Sequence, residues 1–189
     1  VSHVIIADPP YPPRLRRVDD GKGGNTMRAS RYYGNADRYP AEFHPEARKW
    51  DDPATHRALL EHLEASSDGW AIATTPDGIA AYGELPRGVR ILAWVRPNAA
   101  PGGNRLRGCW EAVLVRQIEG RHRGRGQVSD VHVSAHPRAG FVGSKPPSWT
   151  RWVLDAVGFD QASDTAADLF PGSGAVSAAL AQTTLEVHL

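Results

Sequence analysis

Two short stretches combine residue types and spacing that could do chemistry. The first is Asp8-Pro9-Pro10-Tyr11, which follows the apolar run Val4-Ile5-Ile6-Ala7. A run that short and rich in β-branched residues predicts a buried strand rather than a helix. Pro9 and Pro10 cannot donate to a strand ladder, so they end it, and their fixed φ makes the exit rigid. Asp8, an acceptor, and Tyr11, a flat ring, would then stand at the carboxyl end of a strand, where open α/β sheets place their ligands. By itself the tetrapeptide reads first as a strand followed by a polyproline-type turn.

The second stretch gives the first a context. Ala166-Ala167-Asp168-Leu169-Phe170-Pro171-Gly172-Ser173-Gly174-Ala175-Val176 predicts strand, tight glycine turn and helix. Glycines let a backbone approach a ligand closely, and a helix N-terminus faces it, which is how a nucleotide-like cofactor is cradled. Together the two stretches resemble the amino-methyltransferases of phage or bacterial type. Those enzymes use S-adenosylmethionine to methylate adenine N6 or cytosine N4, with Asp-Pro-Pro-Tyr for the target amine and Asp-x-Phe-x-Gly-x-Gly for the cofactor. Here the amine turn comes first and the glycine loop near the end, an order that resembles the permuted β class of that family. The implied fold is α/β, a Rossmann-like methyltransferase with a mostly parallel sheet, helices on both faces and a circularly permuted motif order. The permutation changes only connectivity if the strands at residues 4–8 and 165–169 lie side by side.

The resemblance also implies roles. An exocyclic amine is a poor nucleophile because its lone pair is delocalised into the ring. Asp8 and the backbone carbonyl of Pro9 would accept its two N–H groups and favour charge developing at nitrogen. Pro10 completes the rigid turn, and Tyr11 would stack on the base. On the cofactor side, amides around Gly172 and Gly174 would approach the methionine and ribose portions. Asp168 would meet the ammonium directly or through water, and Phe170 would pack beside the sulfonium. Ser144 and Lys145, in a Lys-Pro element resembling the one that flanks the cofactor's methionine end, are further cofactor contacts. Glu186 has the position of the acidic residue that holds ribose hydroxyls; a charge at a frayed terminus explains it as well. Asp before Pro-Pro-Tyr tilts the comparison toward adenine N6 in DNA, with cytosine N4 and RNA adenine as alternatives. A catalytically idle, nucleic-acid-binding partner of the same fold, or an enzyme for a free nucleotide, are the rival readings. A duplex target would have to be flipped out.

Bulk composition sets outer bounds. A chain of 189 residues with 41% hydrophobic and 23% charged residues is long enough for one α/β domain and short for two, so residues 1–189 read as a single methyltransferase domain. No apolar run has the length of a membrane span, and no signal-peptide pattern opens the sequence. The single Cys109 excludes an intramolecular disulfide framework and fits a reducing, cytoplasmic setting. Net charge is only +1, although 19 of the 22 basic residues are Arg, the better phosphate fork. A G+C-rich genome would produce the same bias.

Where the arginines sit matters more. Residues 12–45 form a long polar segment in which Arg14, Arg16, Arg17 and Arg31 interleave with Tyr32 and Tyr33. Arginine for phosphates and tyrosine for base stacking suit a nucleic-acid-facing loop, the alternative being a solvated connector. Residues 119–144 carry Arg121, Arg123 and Arg125 in a Gly-Arg run and would make a very small target-recognition segment. Between these segments the pattern predicts a helix opened by Asp51-Asp52-Pro53 and strands at 70–74, 89–95 and 110–118. A short helix at 76–82, a short strand at 131–133 and a helix after Lys145-Pro146-Pro147 that stops at Gly158 are also expected. Residues 175–182 then read as a helix and 184–189 as a last strand carrying Glu186. The chain ends three residues after Glu186, so one strand and helix expected to complete the adenosine pocket are not in it. A minimal version or a shortened chain would both give this, and Val1 in place of Met leaves trimming at the other end open.

Other chemistries fit less well. His132 and His136 lie four apart without a third ligand at metal-like spacing, so no metal is expected. Cys109 has no activating motif and reads as packing. Gly172-Ser173-Gly174 is neither a hydrolase elbow nor a P-loop.

Overall fold

In the computed structural model the described residues are 1–13, 29, 33–34, 44–99, 107–121, 126–137, 144–172, 174 and 176–179. They build a mixed α/β fold around a six-stranded sheet. The strands are β1 (His3–Ala7), β2 (Gly69–Thr74), β3 (Arg90–Val95), β4 (Trp110–Arg116), β5 (Val131–Val133) and β6 (Thr165–Asp168). Their order across the sheet is β5-β3-β4-β2-β1-β6. Two α-helices, α1 (Pro53–Ser66) and α2 (Pro147–Val157), cover opposite faces, and 3₁₀ turns occupy Ala47–Asp51 and Asp77–Tyr82.

The period-two alternation of the strands divides the core. Val4, Ile6, Ala71, Ala73, Val113 and Val115 point to the face covered by α2, where Trp149, Trp152, Val153 and Val157 pack. Ile5, Ala7, Trp70, Ile72 and Leu114 point to the other, against Leu59, Leu60 and Leu63 of α1. All six residues of β2 are buried, as expected for a strand covered on both sides. The helix starts follow local chemistry. Asp52 caps α1, its Oδ1 accepting from the amide of Ala54 at 2.9 Å, with Pro53 in the first turn. Gly158, at φ 87°, ends α2 in the left-handed region where its amide meets the carbonyls of Leu154 and Asp155.

β1 pairs in parallel with β2 on one side and with β6 on the other, so the two motif strands are neighbours. The expectation of a mostly parallel sheet needs one amendment. β4 runs against both β2 and β3, while the other five strands share a direction. A parallel neighbour requires a crossover, usually helical, whereas an antiparallel one needs only a return. Residues 96–99 and 107–109, between β3 and β4, contain no helix. Among the described residues the alternation of strand and helix is therefore not seen there.

Candidate active site

The carboxyl ends of β1 and β6 form one edge of the sheet. Register pairs Ile6 with Asp168, and the Leu169 amide donates to the Ile6 carbonyl at 3.1 Å. The Asp8 turn and the glycine turn thus leave the sheet side by side. Pro9 and Pro12 are buried, and the turn leans on the 3₁₀ turn Asp77–Tyr82. A Cβ at Gly78 would stand 2.6 Å from Thr74 Oγ1 and 3.1 Å from Pro12 Cδ, so only glycine allows that approach.

Asp8 does not stand alone. Lys145 Nζ, on a side chain only 6% exposed, donates to Asp8 Oδ2 at 2.7 Å and to the Tyr11 hydroxyl at 3.0 Å. The Tyr11 hydroxyl donates to Glu111 Oε2 at 2.5 Å. Lys145 Nζ is also 3.6 Å from Glu111 Oε2, a charge contact rather than a hydrogen bond, and Arg96 reaches Glu111 Oε1 at 2.8 Å. Two carboxylates and two cations therefore alternate at this edge. The rings of Trp94 and Trp149, each centred 5.7 Å from Lys145 Nζ, complete the enclosure. The ammonium is also 5.4 Å from the Tyr11 centroid, but at 3.0 Å from the phenol oxygen it lies outward of the hydroxyl, beyond the ring edge. That contact is a hydrogen bond, and it does not cover a face of the ring.

Burial and charge compete at each group. Burial raises the Asp8 carboxyl above its ordinary value, and Lys145 only partly offsets this. For Lys145 burial disfavours the charge, but Asp8 and Glu111 outweigh it and leave the ammonium more basic than usual. Burial opposes the charge of Glu111 too; Lys145 and Arg96 overcome it and hold the carboxyl low. The Tyr11 phenol is pushed well up by burial and by Asp8 and Glu111, so its hydroxyl keeps its proton and remains a donor.

On the neighbouring strand end, Asp168 is half-buried, and burial raises its carboxyl. Its Oδ1 accepts from the Phe170 amide at 3.0 Å, which shapes the turn. The Phe170 ring packs edge-on against Trp50 at 5.1 Å, in the core on the α1 face. Gly172 and Gly174 have φ of 38° and 74°, and a Cβ at Gly174 would meet no atom of the described residues within 4 Å. No described residue thus fills the space in front of this left-handed backbone, and the Ala178 amide donates to the Gly174 carbonyl at 2.9 Å as residues 176–179 turn helical. A polar ligand with a cationic end would fit Asp168 and this open turn.

Lys145, expected from the sequence as a cofactor contact, bonds Asp8 and Tyr11 of the amine turn. Ser144 lies beside it, half-buried. Glu111 and Arg96 are additions that sequence reasoning missed. Glu111 sits among apolar neighbours in β4 and alternates with Val113 and Val115 toward the α2 face, a visible sign of a carboxylate pointed inward. Its place at this edge depends on the reversal of β4, which brings the start of that strand to the ends of the others.

Arg121 lies at the opposite edge of the sheet. Its guanidinium pairs with Asp164 through both nitrogens and reaches the Gly158 carbonyl, while Asp164 Oδ1 also accepts from the Ser2 amide at 2.9 Å. This clamp ties the amino ends of β1 and β6, the edge opposite Asp8. Arg121 is a fastener of the sheet there. Tyr33, by contrast, packs against the core on the α1 face. Arg14, Arg16, Arg17, Arg31, Tyr32, Arg123, Arg125 and Glu186, and the strand expected at 184–189, lie outside the described residues.

His132 stacks on Trp152 at 5.2 Å and His136 on Trp94 at 6.0 Å, and among the described residues no three His, Cys, Asp or Glu side chains gather as a metal site. A groove of about 520 Å³ runs between α1 and residues 82–86, but Glu61, Glu64 and Glu84 line it and no motif residue does. No described helix is long and apolar enough to cross a membrane. Neither a protein-family model nor a curated protein matches the chain.

Proposed function

We propose that the protein is an S-adenosylmethionine-dependent methyltransferase acting on the exocyclic amine of a nucleic-acid base, adenine N6 in DNA first. The observation that carries the reading is the parallel pairing of β1 with β6. It sets the Asp-Pro-Pro-Tyr turn beside the Asp-x-Phe-x-Gly-x-Gly turn although 160 residues separate Asp8 from Asp168 in the chain. The proposal includes the Rossmann-like methyltransferase fold in its permuted order.

When bound, S-adenosylmethionine would supply an activated methyl group on a sulfonium. Asp168 and the turn at Gly172 and Gly174 would hold it; the half-buried carboxyl and a Gly174 with no described atom before it suit a cationic amino acid moiety. On the amine side, Lys145 takes Asp8 Oδ2, and Oδ1 would accept one amine N–H. The Pro9 carbonyl would accept the other. Two acceptors aimed at one nitrogen localise its lone pair and favour the positive charge that grows there. Tyr11 keeps its ring faces clear of Lys145 for stacking. Because Lys145 already carries its proton, Asp8 is the adjacent group able to take the one that the amine sheds.

The test is direct. The protein is incubated with methyl-labelled cofactor and unmethylated DNA, RNA or free nucleotides, and the products are digested to nucleosides. Label in N6-methyladenine, abolished by Asp8→Ala, is the expected result. Label in N4-methylcytosine or in RNA alone would correct the substrate. Cofactor binding without transfer to any substrate would favour an idle nucleic-acid-binding subunit, and failure to bind the cofactor would overturn the proposal.

A further inference from the structure

The group placed against Asp8 lies 137 residues away in the chain, and among the described residues it is more enclosed than Arg96, the other cation here. We propose that Lys145 is a positioning residue for Asp8: it fixes one carboxylate oxygen and keeps the group ionised, with Glu111 and Arg96 setting how strongly it can do so. For its kinetic readout this rests on the methyltransferase reading; for its electrostatic readout it does not.

Three observations lead there. Lys145 Nζ bonds Asp8 Oδ2 at 2.7 Å, which orients the carboxylate and leaves Oδ1 toward the amine. The ammonium is held from three other sides, by the Tyr11 hydroxyl, by Glu111 and between Trp94 and Trp149, so it has little room to turn elsewhere. Finally, two anions, Asp8 and Glu111, and two cations, Lys145 and Arg96, contact one another among the described residues. Removing one partner leaves the charge it contacts with less compensation, which is costly where that charge is buried.

Among the described residues, the charges facing Asp8 come from several elements. Lys145 stabilises its anion; Glu111, on β4, works against it. Asp168 on β6 and the phenols of Tyr11 and Tyr82 also feel its charge. Lys145 and Glu111 thus act on Asp8 with opposite sign, and this separates an electrostatic role from a merely structural one. Loss of Lys145 must make Asp8 harder to ionise, and loss of the Glu111 charge must make it easier.

The experiment follows the Asp8 carboxyl by ¹³C NMR against pH, with its resonance assigned through Asp8→Asn. In Lys145→Met the Asp8 midpoint is expected to rise by about 1–3 pH units, the usual effect of an opposite charge at contact distance. In Glu111→Gln, which keeps the shape and the Tyr11 bond, it is expected to fall. The acid limb of kcat/KM should move with the midpoint in both variants. Should Lys145→Met fail to fold, Glu111→Gln decides alone. A midpoint unmoved in the folded variants would overturn the proposal. So would a Lys145→Met protein whose cofactor Kd rises while Asp8 titrates as before. A wild-type protein that transfers no methyl group but shows the opposed shifts would remove the methyltransferase reading and keep the coupling.

Discussion

The Tyr11 hydroxyl offers a sharp test of how much of this site is also structure. Tyr11→Phe keeps the ring and removes one oxygen that donates to Glu111 at 2.5 Å and accepts from Lys145 at 3.0 Å. Hydrogen bonds to charged groups contribute about 1.5–3 kcal/mol each. The two losses do not simply add. Glu111 keeps Arg96 at 2.8 Å, and Lys145, now 3.6 Å from Glu111, can close on the vacated oxygen. A net cost of about 2 kcal/mol follows, which for a domain of this size lowers Tm by roughly 4–8 °C. Tyr82→Phe is the matched control. Tyr82 is only 2% exposed, and its buried hydroxyl leans toward Thr74 without a well-formed bond among the described residues. Deleting a hydroxyl that lacks a good partner should cost under about 1 kcal/mol. Thermal and urea unfolding at pH 7 measure both. Equal losses for the two variants, or no loss for Tyr11→Phe, would refute the assignment of Tyr11 as the bridge between the two charges.

Further outcomes are expected elsewhere in the molecule. Gly174→Ala places a side chain at φ 74° with no described atom within 4 Å, so it should cost about 1 kcal/mol of stability and weaken cofactor binding measured by calorimetry. Gly69→Ala sets a methyl 2.8 Å from Ile118 Cγ1 and Val157 Cγ1; overpacking of about 1–3 kcal/mol should appear in urea unfolding, with cofactor binding retained. Leu63→Ala empties a fully buried site between α1 and the sheet and should cost about 2–5 kcal/mol in the same assay. The Arg121 guanidinium holds the Asp164 carboxyl far below its usual range. Because the folded value lies under the unfolded one, that stabilisation is full above about pH 4 and fades as pH falls further. The Tm advantage of wild type over Asp164→Asn should therefore shrink between pH 5 and pH 2; a constant difference would contradict the clamp.

Local chemistry made much of the framework legible. Short β-branched runs, proline stops, the Asp52-Pro53 helix start and the Gly158 helix stop depend on neighbours in the chain, and each appears where its residues predict. The two motifs were visible for the same reason, since a proline-closed turn and a glycine turn are backbone statements made by a few consecutive residues. What the chain could not declare was which distant groups meet. The reversal of β4 is a matter of sheet pairing, and it alone carries Glu111 to the edge where Asp8 emerges. Lys145, read from its neighbours as a cofactor contact, is 137 residues from Asp8 and becomes its partner through the packing of α2 on the sheet. Arg121, one basic residue in a Gly-Arg run by sequence, is claimed by Asp164 at the far edge. Coulomb forces between buried groups act through space and not along the chain. The charge state of this site is therefore decided only when the strands have found their order.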